Sequence, residues 1–205
     1  MSHLSMAAVL VLSFVVNSAS SAQSPSSLVA RAAAEQGDTF TAVLVEDTPL
    51  VSLADLSTAP LVVRGTLVNP RSFLSADQHH IYTEYDLIPN HVVVERHKTR
   101  SRVVPGPAPL RVTLDGGTIM LGGKTITVRD LSTKAITSGA EVLLFLVPDP
   151  NLNGQLRPFG GSAGMFHVSA KGTLTALRRK GDGERGIESQ SYDRVAQNIL
   201  AFSKR

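Results

Sequence analysis

The segment Glu141–Val147 (EVLLFLV) constrains the fold more than any other. After Glu141 it runs through Val142, Leu143, Leu144, Phe145, Leu146 and Val147 without a polar break, between Ser138-Gly139 and Pro148. A strand points successive side chains to opposite faces, so an unbroken apolar run reads as a central strand buried on both of them. The chain contains no cysteine, so an ordinary apolar core must hold such a strand without disulfides. With 42% hydrophobic and 18% charged residues, the composition is that of a globular protein able to build one. The lack of cysteine also excludes thiolate catalysis, Cys-type zinc sites and thiol redox chemistry.

Strand signals surround this segment. Leu61–Val68 is rich in β-branched residues and is expected to stop at Asn69-Pro70, with Gly65 marking a bend or bulge. His80–Leu87 alternates, placing His80, Tyr82, Glu84 and Asp86 on one face and Ile81, Thr83, Tyr85 and Leu87 on the other. Pro89-Asn90 is expected to interrupt before Val92–Glu95 resumes as a strand or bulged continuation. Leu110–Leu114 alternates again and ends at the turn signal Asp115-Gly116. Ile119–Leu121 and Ile126–Val128 flank the tight turn Gly122-Gly123, and Gln155–Phe159 and Met165–Val168 supply the last strands. Closely spaced strands with Gly and Pro corners predict a mainly β fold, a small antiparallel barrel over residues 60–170.

The ends differ. Met6–Val16 is a short apolar run, followed by the small residues of Asn17–Gln23. That order predicts a secretory signal peptide over 1–22, cut after Ala22 with Ser20 as the other small residue. No Lys or Arg precedes Arg31, so the positive charge of the leader rests on its amino terminus and His3. The run is too short to span a bilayer, which takes roughly 20 apolar residues, and no later segment is long or apolar enough. Residues 23–59 are expected to hold short helices, one around Ala30–Ala34 and one over Ser52–Leu56 with Ser52 as its N-cap. Phe40–Val45 is ambiguous between a strand and a leader segment. Within 171–205, Lys171–Glu188 reads as a polar loop. Tyr192, Val195, Ala196, Ile199 and Leu200 then form the stripe of an amphipathic helix, docked on the barrel or, alternatively, lying on a membrane surface.

Five segments, LVVRGTLVNPRS, HIYTEYDL, LRVTLDGGTI, SGAEVLLFLVPD and GGSAGMFHV, together resemble in order and spacing a domain of secreted bacterial proteins. That group is similar to OB-fold, netrin-like barrels such as the tissue inhibitors of metalloproteinases. The resemblance covers residues 61–168 and implies a five-stranded barrel with flanking helices. It implies no substrate and carries over no functional residue. The inhibitors chelate a protease metal through an N-terminal cysteine, which this chain lacks.

Several motifs invite chemistry. Gly160–Gly164 (GGSAG) fits the G-x-S-x-G elbow of serine hydrolases, with Ser162 as nucleophile. A strand rather than a helix is expected after it, and the later His167 stands in the wrong order relative to an acid. Asp149, Asn151, Asn153 and Gly154 fit the first half of a calcium loop, but Gly160 stands where the bidentate Glu belongs. His79, His80, Glu84 and His91 suggest zinc, although His80 and Glu84 lie about 13 Å apart on an extended strand. Glu84 and Asp86, about 7 Å apart by the same rise, have the spacing of a glycosidase pair, yet alternating acids are also the ordinary solvent face of a barrel strand.

Net charge is +3, with basic clusters at Arg96–Arg102, Arg178–Lys180 and Lys204-Arg205. Aromatic residues make up 5% of the chain and tryptophan is absent, which disfavours nucleic acid as a partner. No nucleotide-binding or H-E-x-x-H motif is present. The residues therefore assign no catalytic, cofactor or metal ligand. They point to an exported, non-catalytic module that binds a protein or envelope polymer through the barrel face and the loops 69–80, 98–109 and 148–164. The alternatives are a secreted hydrolase using Ser162 or the Glu84/Asp86 pair, and an envelope-associated structural protein.

Overall fold

The computed structural model describes residues 27–45, 51–96, 109–152, 155–178 and 187–203. The leader with its cut after Ala22, Asn153, most of loop 98–109 and the basic residues Arg179, Lys180, Lys204 and Arg205 lie outside them.

The described residues are mainly β, with ten strands in two sheets and three α-helices. Helix α1 (Leu28–Ala34) is capped by the Ser27 hydroxyl, and strand β1 (Thr39–Leu44) follows. Helix α2 (Leu53–Leu56) carries a capping box: Ser52 accepts from the Asp55 amide, and the Asp55 carboxylate accepts from the Ser52 amide. Then come β2 (Leu61–Leu74), β3 (Ile81–Glu95), β4 (Leu110–Asp115), β5 (Gly117–Leu121) and β6 (Lys124–Asp130). Strands β7 (Glu141–Pro148) and β8 (Leu156–Pro158) precede a 3-10 turn at Gly161–Gly164. The chain ends with β9 (Met165–Val168), β10 (Leu174–Ala176) and α3 (Tyr192–Ser203).

The larger sheet runs β10-β9-β7-β2-β3-β4-β8, and β8 also pairs with β7. The pairings β2–β3–β4–β8–β7–β2 thus return to their start, with β4 meeting β8 in parallel at the single pair Val112↔Leu156. The smaller sheet, β1-β6-β5, departs from the expected single antiparallel array. Its β5–β6 hairpin turns on Gly122-Gly123, both at positive φ (57° and 80°), as a two-residue hairpin requires. Strand β1 joins β6 in parallel, so the N-terminal segment supplies a strand to this layer.

The boundary at Asn69-Pro70 is corrected, and at Pro89-Asn90 the bulged continuation is the form found. Strand β2 passes through Asn69-Pro70 on a bulge, and β3 passes through Pro89-Asn90 with Pro89 opposite Gly65. The reason is the same in both cases. Strand β2 pairs with β7 only over Leu61–Thr66, and β3 pairs with β4 only over Tyr82–Leu87. Beyond those limits each strand has one edge without a ladder partner among the described residues, where a proline's missing N–H is tolerated. The bulge at Gly65 is as expected, because a Cβ there would lie 2.4 Å from the Ile88 carbonyl oxygen. Strand β10 also lies within a stretch expected to be loop.

Strand β7 is buried on both faces. Leu143 and Phe145 pack with Val62, Phe166, Val195 and Ile199, beneath α2 and α3. Val142, Leu144 and Leu146 pack on the other side with Leu67, Tyr85, Leu87 and Val112. A third cluster joins α1 (Leu28, Ala32) to the smaller sheet (Phe40, Ile126) and to Ile81 at the start of β3. Four residues of the α3 stripe, Tyr192, Val195, Ala196 and Ile199, are therefore spent on the sheet while Leu200 stays exposed, so most of the apolar face that the membrane-surface alternative requires is already taken. Among the described residues no helix is long and apolar enough to cross a membrane.

Candidate functional site

Past Val112↔Leu156, the backbones of β4 and β8 part. A cavity of about 620 Å³ opens there, walled by Thr113–Gly117 on one side and Arg157–Ser162 on the other. The loop after β6 and the turn after β7 complete it, through Asp130, Lys134, Asp149 and Asn151.

Asp149 is 7% exposed and shapes the turn, its Oδ1 accepting the Asn151 amide at 2.8 Å. Its Oδ2 lies 3.7 Å from Arg157 Nε. These contacts make Asp149 an Asx-turn residue beside a guanidinium rather than an open cation ligand. Asp130 likewise accepts the Ser132 amide at 2.8 Å, and Lys134 Nζ donates to the Ala176 carbonyl at 2.8 Å. Ser162 lies in the 3-10 turn, buried, and its Oγ has no hydrogen-bond partner among the described residues. Strand β9 follows it directly, and His167 sits exposed on that strand opposite Val142 and Thr175. The G-x-S-x-G segment thus brings no base to the serine.

Two tyrosines of β3 meet the cavity from opposite faces. Tyr85 packs inside with Leu87, Leu114 and Met165, and burial pushes its phenol pKa up. Tyr82 stands outside, stacked with His80 (ring centroids 5.9 Å apart) and against Phe73 (5.8 Å). Its phenol pKa is raised, first by burial and then by the carboxylates of Asp115, Asp149 and Asp77, against the opposing charge of Arg157.

Glu84 overturns the expectation of a solvent-facing acid. It is 8% exposed, and its carboxylate meets Arg71 Nη2 at 3.0 Å and accepts from Gln155 Nε2 at 2.6 Å. Arg111 Nη1 stands 3.8 Å away. The same Arg71 nitrogen is 2.7 Å from Asp86, whose other oxygen accepts from Asn69. Gln155 in turn accepts from the Thr113 hydroxyl at 2.7 Å. The structure does bring Glu84 and Asp86 together, but on one guanidinium. Both act as a clamp across β2, β3 and β4 and are not held free for a substrate proton.

The proposed zinc residues go to separate places. His91 Nδ1 pairs with the Tyr192 hydroxyl, while His80 stacks on Tyr82 and His79 belongs to the turn closed by Ser75 and Asp77. Among the described residues no three His, Asp or Glu side chains are placed to hold a metal ion. Sequence reasoning missed Tyr85, Asp130, Lys134 and Arg157, which come from separate segments. Only the three-dimensional path of β8 and of the loop after β6 brings them to one cavity.

No family model, curated protein or solved structure matches the chain.

Proposed function

We propose that this chain is an exported, non-catalytic binding module built on a small OB-like, netrin-like β-barrel. It works in the periplasm or outside the cell on a protein or an envelope polymer. The observation that carries the proposal is the position of Tyr82, which belongs both to the aromatic stack with Phe73 and His80 and to the wall of the cavity. An aromatic cluster continuous with a polar cavity serves recognition without a positioned nucleophile or base. The barrel reading is supported by the closed circuit of pairings and by the parallel contact of β4 with β8. It agrees with an OB-like arrangement, in which the strand face and adjoining loops take the ligand. Export rests on the apolar run Met6–Val16 and the small residues that follow it.

The test is crosslinking of the exported protein in cells, run in parallel on wild type and Tyr82→Ala. A partner recovered with wild type and lost with a folded Tyr82→Ala variant supports the proposed surface. Equal recovery with both overturns it. Sequencing the amino terminus of the exported protein is expected to read from Gln23. A fluorophosphonate probe is expected to leave Ser162 unlabelled, and labelling would favour the hydrolase instead.

A further inference from the structure

The cavity beside β4 contains two hydroxyl-bearing side chains whose bonding capacity the fold leaves unused. Ser162 is 2% exposed, and its Oγ has no partner. Tyr85 is 8% exposed as a residue, but its phenol oxygen is not enclosed and faces the open cavity without a hydrogen bond to a described side chain. Leaving a buried polar group unpaired costs about 1–3 kcal/mol, and native folds pair the large majority of such groups. That cost falls on Ser162 Oγ, and with the solvent-facing Tyr85 phenol in the same cavity wall it points to a ligand that bonds both. The volume, about 620 Å³, lies within the range of small-molecule sites, about 300–1,000 Å³.

The chemistry of the wall narrows the ligand class. Asp115, Asp149, Asn151 and Arg157 offer acceptors and donors, while Tyr82 offers an aromatic ring. Carboxylates and basic groups are interspersed, with Arg157 within 3.7 Å of Asp149, so the wall is not built for one sign of charge. A purely apolar ligand would leave Ser162 and Tyr85 unpaired. A small cation would meet Arg157 and Lys134 alongside the carboxylates. A neutral ring with C–H faces and hydroxyl edges satisfies all three features at once: the aromatic surface, the mixed donors and acceptors, and the two spare hydroxyls.

We propose that this cavity is a saccharide site, which takes one ring of a neutral glycan and bonds its hydroxyls to Ser162 Oγ and the Tyr85 phenol. The proposal rests on the binding-module reading above and narrows its partner to a carbohydrate.

The test uses the full exported chain and its Ser162→Ala/Tyr85→Phe double variant. Glucose, galactose, mannose, N-acetylglucosamine, cellobiose, maltose and chitobiose are titrated to high millimolar concentration. Binding is read by saturation-transfer NMR and calorimetry. Saturable binding to wild type, weakened at least about tenfold in the double variant, is expected, since each lost hydrogen bond contributes a factor of a few. The variant is expected to melt at or above the wild-type temperature, because it removes the unpaired buried Ser162 hydroxyl and a phenol oxygen that bonds nothing in the fold. Three results each overturn the proposal: no saturable binding of any of these sugars, equal binding by the double variant, or a lower melting temperature in that variant. Suppose no sugar binds, yet cells still yield a partner that Tyr82→Ala loses. Then the saccharide site falls and the binding module stands. If neither is seen, both fall.

Discussion

Tyr192 gives a direct test of how the C-terminal helix is held. Its side chain is buried, the Arg64 guanidinium lies 4.6 Å from its ring centroid, and its hydroxyl pairs with His91 Nδ1. Arg64 is itself fixed to Glu141 at 2.9 Å, so this contact joins α3 to β2, β3 and β7. Burial is the main cause that pushes the phenol pKa from 10.0 up to about 12; Arg64 opposes it, and Asp193 and Glu141 add to it. The folded state therefore keeps a proton that the unfolded chain gives up near pH 10. Stability linked to this phenol is complete below about pH 10 and is lost as pH rises toward about 12. The full rise corresponds to at most about 2.7 kcal/mol, of which about 1.4 kcal/mol is lost by about pH 11. Tyr192→Phe keeps a ring beneath Arg64 but removes the titrating hydroxyl. At about pH 8 the variant is expected to be less stable by about 1 kcal/mol, the worth of the bond to His91. By about pH 11 the wild type has lost a comparable amount through this phenol alone, so the two unfolding free energies converge or cross. Urea unfolding followed by circular dichroism at both pH values measures this. A Phe variant destabilised equally at both would refute the account of a buried phenol held protonated under Arg64.

Phe145→Ala is expected to cost about 3–5 kcal/mol in the same assay, because Phe145 is 0% exposed and meets Phe166 edge-on between the sheet and α3. Gly65→Ala is expected to destabilise by about 1–3 kcal/mol or more, since the added Cβ would fall 2.4 Å from a backbone oxygen that cannot swing aside. Glu84→Ala is expected to cost about 1–3 kcal/mol by leaving Gln155 Nε2 without its acceptor, and Glu84→Gln is expected to recover part of that. Millimolar Ca²⁺ is expected to leave the melting temperature unchanged, because Asp149 is already engaged by the Asn151 amide and faces Arg157.

What the sequence revealed about the fold follows from what is local. Strand β7 was legible because an apolar run needs no knowledge of its neighbours, and the Gly122-Gly123 hairpin because its turn is written in two adjacent residues. The α3 stripe was legible from its spacing, and its burial agrees with docking on the sheet. Strand β2 was cut short at its proline, and β3 was left between a break and a bulge at Pro89, because a proline ends a strand only where both edges are paired. Which edges are paired is decided by β7 and β4, far away in the chain. The parallel joining of β1 to β6 has no local signal, because it depends on where α1 settles against Phe40 and Ile126.

The same distinction explains Glu84 and the cavity. Alternation correctly set Glu84 on the outer face of β3, but outer does not mean solvated. Gln155, at the start of β8, crosses over it, and Arg71 reaches it from β2. The short β4–β8 contact then has two consequences. It carries Gln155 onto Glu84 and Thr113, closing one side of β4 with a saturated polar network. By ending after one residue pair, it also leaves the gap that Asp115, Arg157 and Ser162 line. The acids that looked most like catalysts are thus fixed as structure, whereas Ser162 keeps an unpaired buried hydroxyl and Tyr85 turns its phenol to the gap. One sits in a strand that reads as ordinary core, the other in a glycine-rich turn, and only the path of β8 brings them to the same cavity.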